Sequence, residues 1–108
     1  MNITQVSNDY AVSPQLTSAD IDTLKDMGFT TVICNRPDNE EAGQPTAAEI
    51  AAACETAGLS FHSIPVSGMP IPADDIAKHR QVVDASNGPV LAYCRSGQRS
   101  TIIWQASA

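Results

Sequence analysis

Apolar positions along the chain switch repeatedly between two periods. Ile3-Thr4-Gln5-Val6 and Tyr10-Ala11-Val12-Ser13 flank Ser7-Asn8-Asp9, which predicts a short β-hairpin at the N-terminus. Thr17-Ser18-Ala19-Asp20 has the form of a capping box. Ile21, Leu24 and Met27 then share one helical face up to Gly28. The β-branched run Thr30-Thr31-Val32-Ile33-Cys34 predicts a buried strand, followed by a polar loop over 35–45. Thr46-Ala47-Ala48-Glu49 is a second capping box. It opens a helix with an apolar stripe of Ile50, Ala53, Cys54 and Ala57, ended by Gly58. A strand over 59–66 follows, then a loop, then a helix from Pro72 through Ile76 and Val83 to Asn87-Gly88. Asp74 and Asp75 in its first turn suit the helix dipole. Pro89-Val90-Leu91-Ala92-Tyr93 is the last strand and 100–106 the last helix.

Strands alternating with helices imply an α/β fold, a mainly parallel central sheet with helices on both faces. The 108 residues make a single domain, 1–108, without linker or repeat. In such a sheet, ligands bind at the carboxyl ends of the strands. The loops over 35–45, 67–71 and 94–99 should meet there.

Charge narrows the partners. The net charge of −6 disfavours nucleic acid and anionic membranes. No apolar run reaches the ~20 residues of a membrane span, and no secretory signal is visible. Three cysteines in a core-competent chain argue for free thiols in a reducing compartment, hence a cytoplasmic protein. His62 and His79 have no ligand-like spacing to the cysteines, so neither metal nor cofactor is predicted.

Of only six basic residues, two flank the glycine in Cys94-Arg95-Ser96-Gly97-Gln98-Arg99-Ser100. Cys94 ends a strand and Arg99 opens a helix, an arrangement that makes an anion cradle. N–H groups of the turn through Arg95, Ser96, Gly97 and Gln98 and of the helix start converge on one point. Gly97 permits a positive φ. Arg99 offers a bidentate fork to an oxyanion. The same field lowers the pKa of Cys94, and Ser100 can donate to the thiolate or to a leaving thiol. A buried structural cysteine beside solvated arginines is the plainer alternative.

The loop resembles those of cysteine-based phosphatases and of rhodaneses. Gly28-Phe29-Thr30-Thr31-Val32-Ile33, Asn35-Arg36-Pro37-Asp38, Gly43-Gln44-Pro45, Ile64-Pro65-Val66 and Pro89 to Gly97 narrow the likeness. Nearly the whole chain resembles the phosphatase-like domain of beta-lactamase-hydrolase-like proteins. That resemblance implies a fold like the dual-specificity phosphatases and either phosphatase or sulfurtransferase chemistry on a small anionic substrate. Three departures bear on the choice. Four residues separate Cys94 from Arg99, the rhodanese spacing, where tyrosine and dual-specificity phosphatases have five. Tyr93 stands where a histidine usually precedes the phosphatase cysteine. Ser67-Gly68 stands where the phosphatase general acid would sit.

Fold resemblance puts a phosphatase-like hydrolase first. A sulfurtransferase passing sulfur through a Cys94 persulfide comes next, and a low-turnover anion-binding or redox-sensing module third. Arg36 reads either as a second anion ligand or as a salt bridge to Asp38 or Glu40. Asp38 is the candidate replacement acid, with helix capping as its other role. Cys34 reads as a resolving thiol for Cys94 or as a core cysteine. Cys54 and Trp104 read as packing residues.

Overall fold

The computed structural model describes residues 1–108. Five strands, β1 (Thr4–Ser7), β2 (Tyr10–Ser13), β3 (Thr31–Cys34), β4 (Ser60–Ser63) and β5 (Val90–Tyr93), form one sheet in the order β1-β2-β5-β3-β4. The hairpin pair β1–β2 is antiparallel and every other pair is parallel. β5 is therefore central, between β2 and β3, and the loop after it emerges at the middle of the sheet's carboxyl edge. β2, β3 and β5 are buried along their whole length, as their near-continuous apolar sequences require.

Helices α1 (Asp20–Asp26) and α2 (Ala47–Ala57) cover one face, where Ile21, Leu24, Ile50, Cys54 and Ala57 pack on Ala11, Val32, Cys34, Leu91 and Tyr93. Helices α3 (Ala73–Ala85) and α4 (Gln98–Ser107) cover the other, where Ile103, Ile76 and Val83 pack with Tyr10, Val12, Ile33 and Ala92. Each face holds alternate residues of the same strands, the consequence of the two-residue strand period.

α2 has a complete capping box of Thr46 with Glu49, and Gly58 ends it at φ 83°. α1 differs from expectation. Only half a capping box forms there, with the Thr17 N–H donating to Asp20 Oδ2 at 2.8 Å, so the helix proper starts at Asp20. It also stops before completing another turn. Met27, expected on the helix face, is left 56% exposed, and Phe29 enters the core instead. β4 is shorter than its apolar sequence suggested, and Ile64 and Val66 are buried beyond its end. α4 starts at Gln98, two residues earlier than predicted, so Arg99 and Ser100 lie inside its first turn.

Candidate active site

Cys94 follows β5 directly and is fully buried. The chain then turns so tightly that the Gly97 N–H donates to the Cys94 sulfur at 3.0 Å. Gly97 makes the turn at φ 93° and acts as the N-cap of α4. Burial alone would raise the Cys94 pKa. The backbone N–H groups of Ser100, Ser96, Gly97 and Arg99 outweigh it and hold the thiol below its ordinary value. At the other two cysteines burial wins. It pushes the Cys54 thiol up to about 11, and it raises that of Cys34 against the lowering hydrogen bonds of Tyr93 and the Arg36 backbone.

Three loops meet at Arg99. Its Nη1 donates to Glu40 Oε2 and to the Val66 carbonyl, both at 2.8 Å, and its Nη2 donates to Glu40 Oε1 at 2.7 Å. The segment after β4, where a phosphatase acid would be carried, thus contributes a backbone carbonyl. Hydrogen bonds from Arg99 and Arg36 lower the Glu40 carboxyl to about 2, so it is ionised and cannot serve as an acid near neutrality. Arg95 is 68% exposed and reaches Glu41 Oε1 at 3.1 Å. Ser96 and Gln98 are exposed on the turn, and the Gln98 N–H donates to Ser96 Oγ at 3.3 Å. Ser100 is buried, and its hydroxyl has no hydrogen-bond partner within the protein.

Arg36 is 3% exposed, and each of its guanidinium nitrogens has a partner. Nε donates to Glu40 Oε1 at 3.0 Å, Nη1 to Gln15 Oε1 at 3.0 Å and Nη2 to Glu41 Oε1 at 2.8 Å. Of the two readings of Arg36, the loop-shaping one with Glu40 is the one these contacts fit. Asp38 Oδ1 accepts the Ala47 N–H at 2.8 Å at the start of α2, a helix-capping contact. Cys34 lies beside Tyr93 in register, in the α1–α2 layer, and its thiol donates to the Arg36 carbonyl at 3.3 Å. All three thiols are free.

On the opposite face a second network reaches the same helix. Tyr10 Oη donates to the Ser100 carbonyl at 2.8 Å, and His79 Nε2 lies 3.0 Å from that Tyr10 oxygen. Because the hydroxyl proton goes to Ser100, His79 is the donor through Nε2–H. Trp104 stacks on Tyr10 with ring centroids 5.5 Å apart, a packing role as expected. The grip of Glu40 on Arg99 and the contributions of Glu41, Tyr10 and His79 escaped the sequence reading. Adjacent carboxylates in a loop at the same sheet edge as Arg95 and Arg99 were the available signal for the first two.

The family profile described as beta-lactamase hydrolase-like protein, phosphatase-like domain, matches residues 2–108. The chain belongs to this family. A beta-lactamase hydrolase-like protein of Agrobacterium fabrum is 34% identical over 104 residues, which cover 96% of this chain and 24% of the relative. The phosphatase-like domain thus spans about a quarter of that relative's length. Among solved structures, a candidate phosphatase of Neisseria meningitidis superposes with a TM-score of 0.87 at 42% identity, covering 96% of this chain and 74% of that one. TpbA of Pseudomonas aeruginosa, in complex with phosphotyrosine, shares the fold at TM-score 0.69 and 17% identity, covering 94% and 59%. The phosphatase-like domain therefore has a cysteine-phosphatase-like α/β fold, and its relationships support hydrolase chemistry at the level of the class. No helix is long and apolar enough to cross a membrane.

Proposed function

We propose that the phosphatase-like domain is a cysteine-dependent hydrolase of phosphomonoesters. The observation that carries this reading is the turn at the start of α4, where the Gly97 N–H donates to the buried Cys94 sulfur at 3.0 Å beside Arg99; the backbone N–H groups there hold the thiol below its ordinary value. The Cys94 thiolate attacks phosphorus. An S–P bond forms, the P–O bond to the leaving group breaks, and that oxygen keeps the bonding pair. Water then cleaves the phosphocysteine, releasing inorganic phosphate and restoring the thiolate. The N–H groups and Arg99 stabilise the equatorial oxygens of both transition states. Arg95, Ser96, Gly97 and Gln98 supply the cradle, and Ser100 lies within its helical wall.

No carboxylic acid stands ready for the leaving group. Asp38 caps α2, Glu40 is ionised, and Ser67-Gly68 follows β4. Such a site suits leaving groups that depart unprotonated, aryl phosphates before alkyl ones. Phosphotyrosine bound to TpbA is a ligand of that kind.

The four-residue spacing from Cys94 to Arg99 favours a second reading, sulfur transfer. There the Cys94 thiolate takes the sulfane sulfur of thiosulfate, releases sulfite, and passes the sulfur to an acceptor thiolate or to cyanide. The test is direct. Turnover of an aryl phosphate that vanishes in Cys94→Ser is the expected result. A gain of one sulfur on Cys94 with thiocyanate release, and no phosphate turnover, replaces hydrolysis by transfer. Anion binding with neither activity leaves a binding module.

A further inference from the structure

Both terminal nitrogens of Arg99 are already committed. Of its five N–H donors, the two on Nη1 go to Glu40 Oε2 and the Val66 carbonyl, and one on Nη2 goes to Glu40 Oε1. Nε–H and the remaining Nη2–H are taken by no oxygen of the protein, and together they form the side edge of the guanidinium, itself a two-pronged fork, on an arginine that interacts with the Cys94 sulfur. Glu40 therefore grips the end of the guanidinium without covering the edge that a tetrahedral anion would use.

Glu40 is itself held in place. Arg36 Nε donates to its Oε1 at 3.0 Å, and Arg36 is tied to Gln15 and Glu41. Gln44 Oε1 accepts the backbone N–H groups of Glu40 at 3.0 Å and Glu41 at 3.3 Å, and Gln44 Nε2 donates to the Pro37 carbonyl at 3.0 Å. The loop thus presents its carboxylate from a backbone fixed independently of Arg99.

We propose that Glu40 is a positioning residue for anion binding: anchored by Arg36 and Gln44, it holds the end of the Arg99 guanidinium so that the Nε–Nη2 edge is preset for the ligand. The role needs a carboxylate of this length, because two parallel bonds to Nη1 and Nη2 require two oxygens at that reach. A preset arginine loses less side-chain freedom when it binds than a free one. The proposal rests on the reading of the Cys94–Arg99 loop as the anion site.

The test uses inorganic phosphate to protect Cys94 from iodoacetamide, read by mass spectrometry. Glu40→Asp keeps the charge but falls one methylene short of the two-point grip. The concentration for half-protection is expected to rise ~10-fold, the scale of one charge-assisted hydrogen bond. The pH midpoint of Cys94 alkylation, which reports the N–H ring, stays in place. In an Arg99→Ala background, Glu40→Asp adds nothing, because Glu40 acts through that side chain. Gln44→Ala, which alters no charge, weakens protection in the same direction and covers the case that Glu40→Asp misfolds. Unchanged half-protection in both variants, or the same loss with Arg99 absent, overturns the proposal. Wild-type protein that phosphate does not protect at all removes the anion-site reading and this proposal with it.

Discussion

The hydroxyl of Tyr10 donates to the Ser100 carbonyl at 2.8 Å, joining an interior strand of the sheet to the first turn of the last helix. Ser100 and its neighbours supply the N–H groups that hold the Cys94 thiol below its ordinary pKa. Tyr10→Phe should therefore act twice. It leaves the His79 Nε2–H buried without an acceptor, at a cost of about 1–3 kcal/mol. It also loosens the helix start, so the Cys94 pKa should move back toward that of an ordinary thiol. Denaturant unfolding and the pH dependence of iodoacetamide labelling would check the two effects separately. Labelling unchanged in a destabilised Tyr10→Phe protein would separate this network from the thiolate.

His79 gives the fold a pH limit. Burial pushes its pKa down to about 4 from an ordinary 6.5. The unfolded chain therefore binds the proton more readily than the folded one. The stability linked to neutral His79 is fully present above pH 6.5 and is lost as pH falls toward 4, by an amount on the order of 3 kcal/mol. The Glu40 carboxyl, lowered to about 2 from 4.5, adds a further loss below pH 4.5. Thermal midpoints measured from pH 8 to pH 4 should decline most steeply over the lower half of that range. His79→Gln should flatten the decline between pH 6.5 and 4.

Arg99→Lys should lower phosphatase turnover ~100-fold, because a single ammonium replaces a planar fork that serves Glu40, Val66 and the ligand at once. Steady-state kinetics on an aryl phosphate would show it. A rate within a few-fold of wild type would remove the guanidinium from the mechanism.

Gly97→Ala tests the turn. The residue sits at φ 93°, and an added Cβ would meet the Ser13 backbone only at an ordinary 3.5 Å. The penalty is thus conformational, about 1–2 kcal/mol. Relief of the strain turns the Gly97 N–H away from the sulfur, and Cys94 labelling should need a higher pH. Crowding alone would lower stability and leave the labelling curve alone.

Leaving-group dependence tests the missing acid. Phosphate turnover should favour aryl over alkyl esters by ~10²–10⁴-fold, the usual contribution of a general acid. Equal rates on both would mean that a proton donor operates after all.

Period and punctuation carried most of the fold. The β-branched run at 30–34 and the complete capping box at Thr46 mark elements that formed nearly as read, because local preference and burial agree there. Met27 shows where they disagree. Its spacing fits the α1 face, but the chain leaves the helix at Asp26 and the core takes Phe29. The cradle was legible for a similar reason, since Cys94, Gly97 and Arg99 are close in sequence and their geometry is local. The groups that orient it were not. Glu40 lies 59 positions from Arg99 and Tyr10 lies 90 from Ser100. Only the strand order decides that such residues meet, and no periodicity encodes that order.

The insertion of β5 between β2 and β3 also governs when the N–H ring around Cys94 can come into being. Tyr10 through Ser13 pair with Val90 through Tyr93, so the centre of the sheet closes only after residues 90–93 have been made. A nascent chain emerging from the ribosome exposes the residues of α1 and α2 well before those of β5. Its Cys94 nevertheless remains an ordinary thiol until this long-range closure, a slow step for a topology rich in distant contacts. Partial translation products should accordingly be chemically quiet.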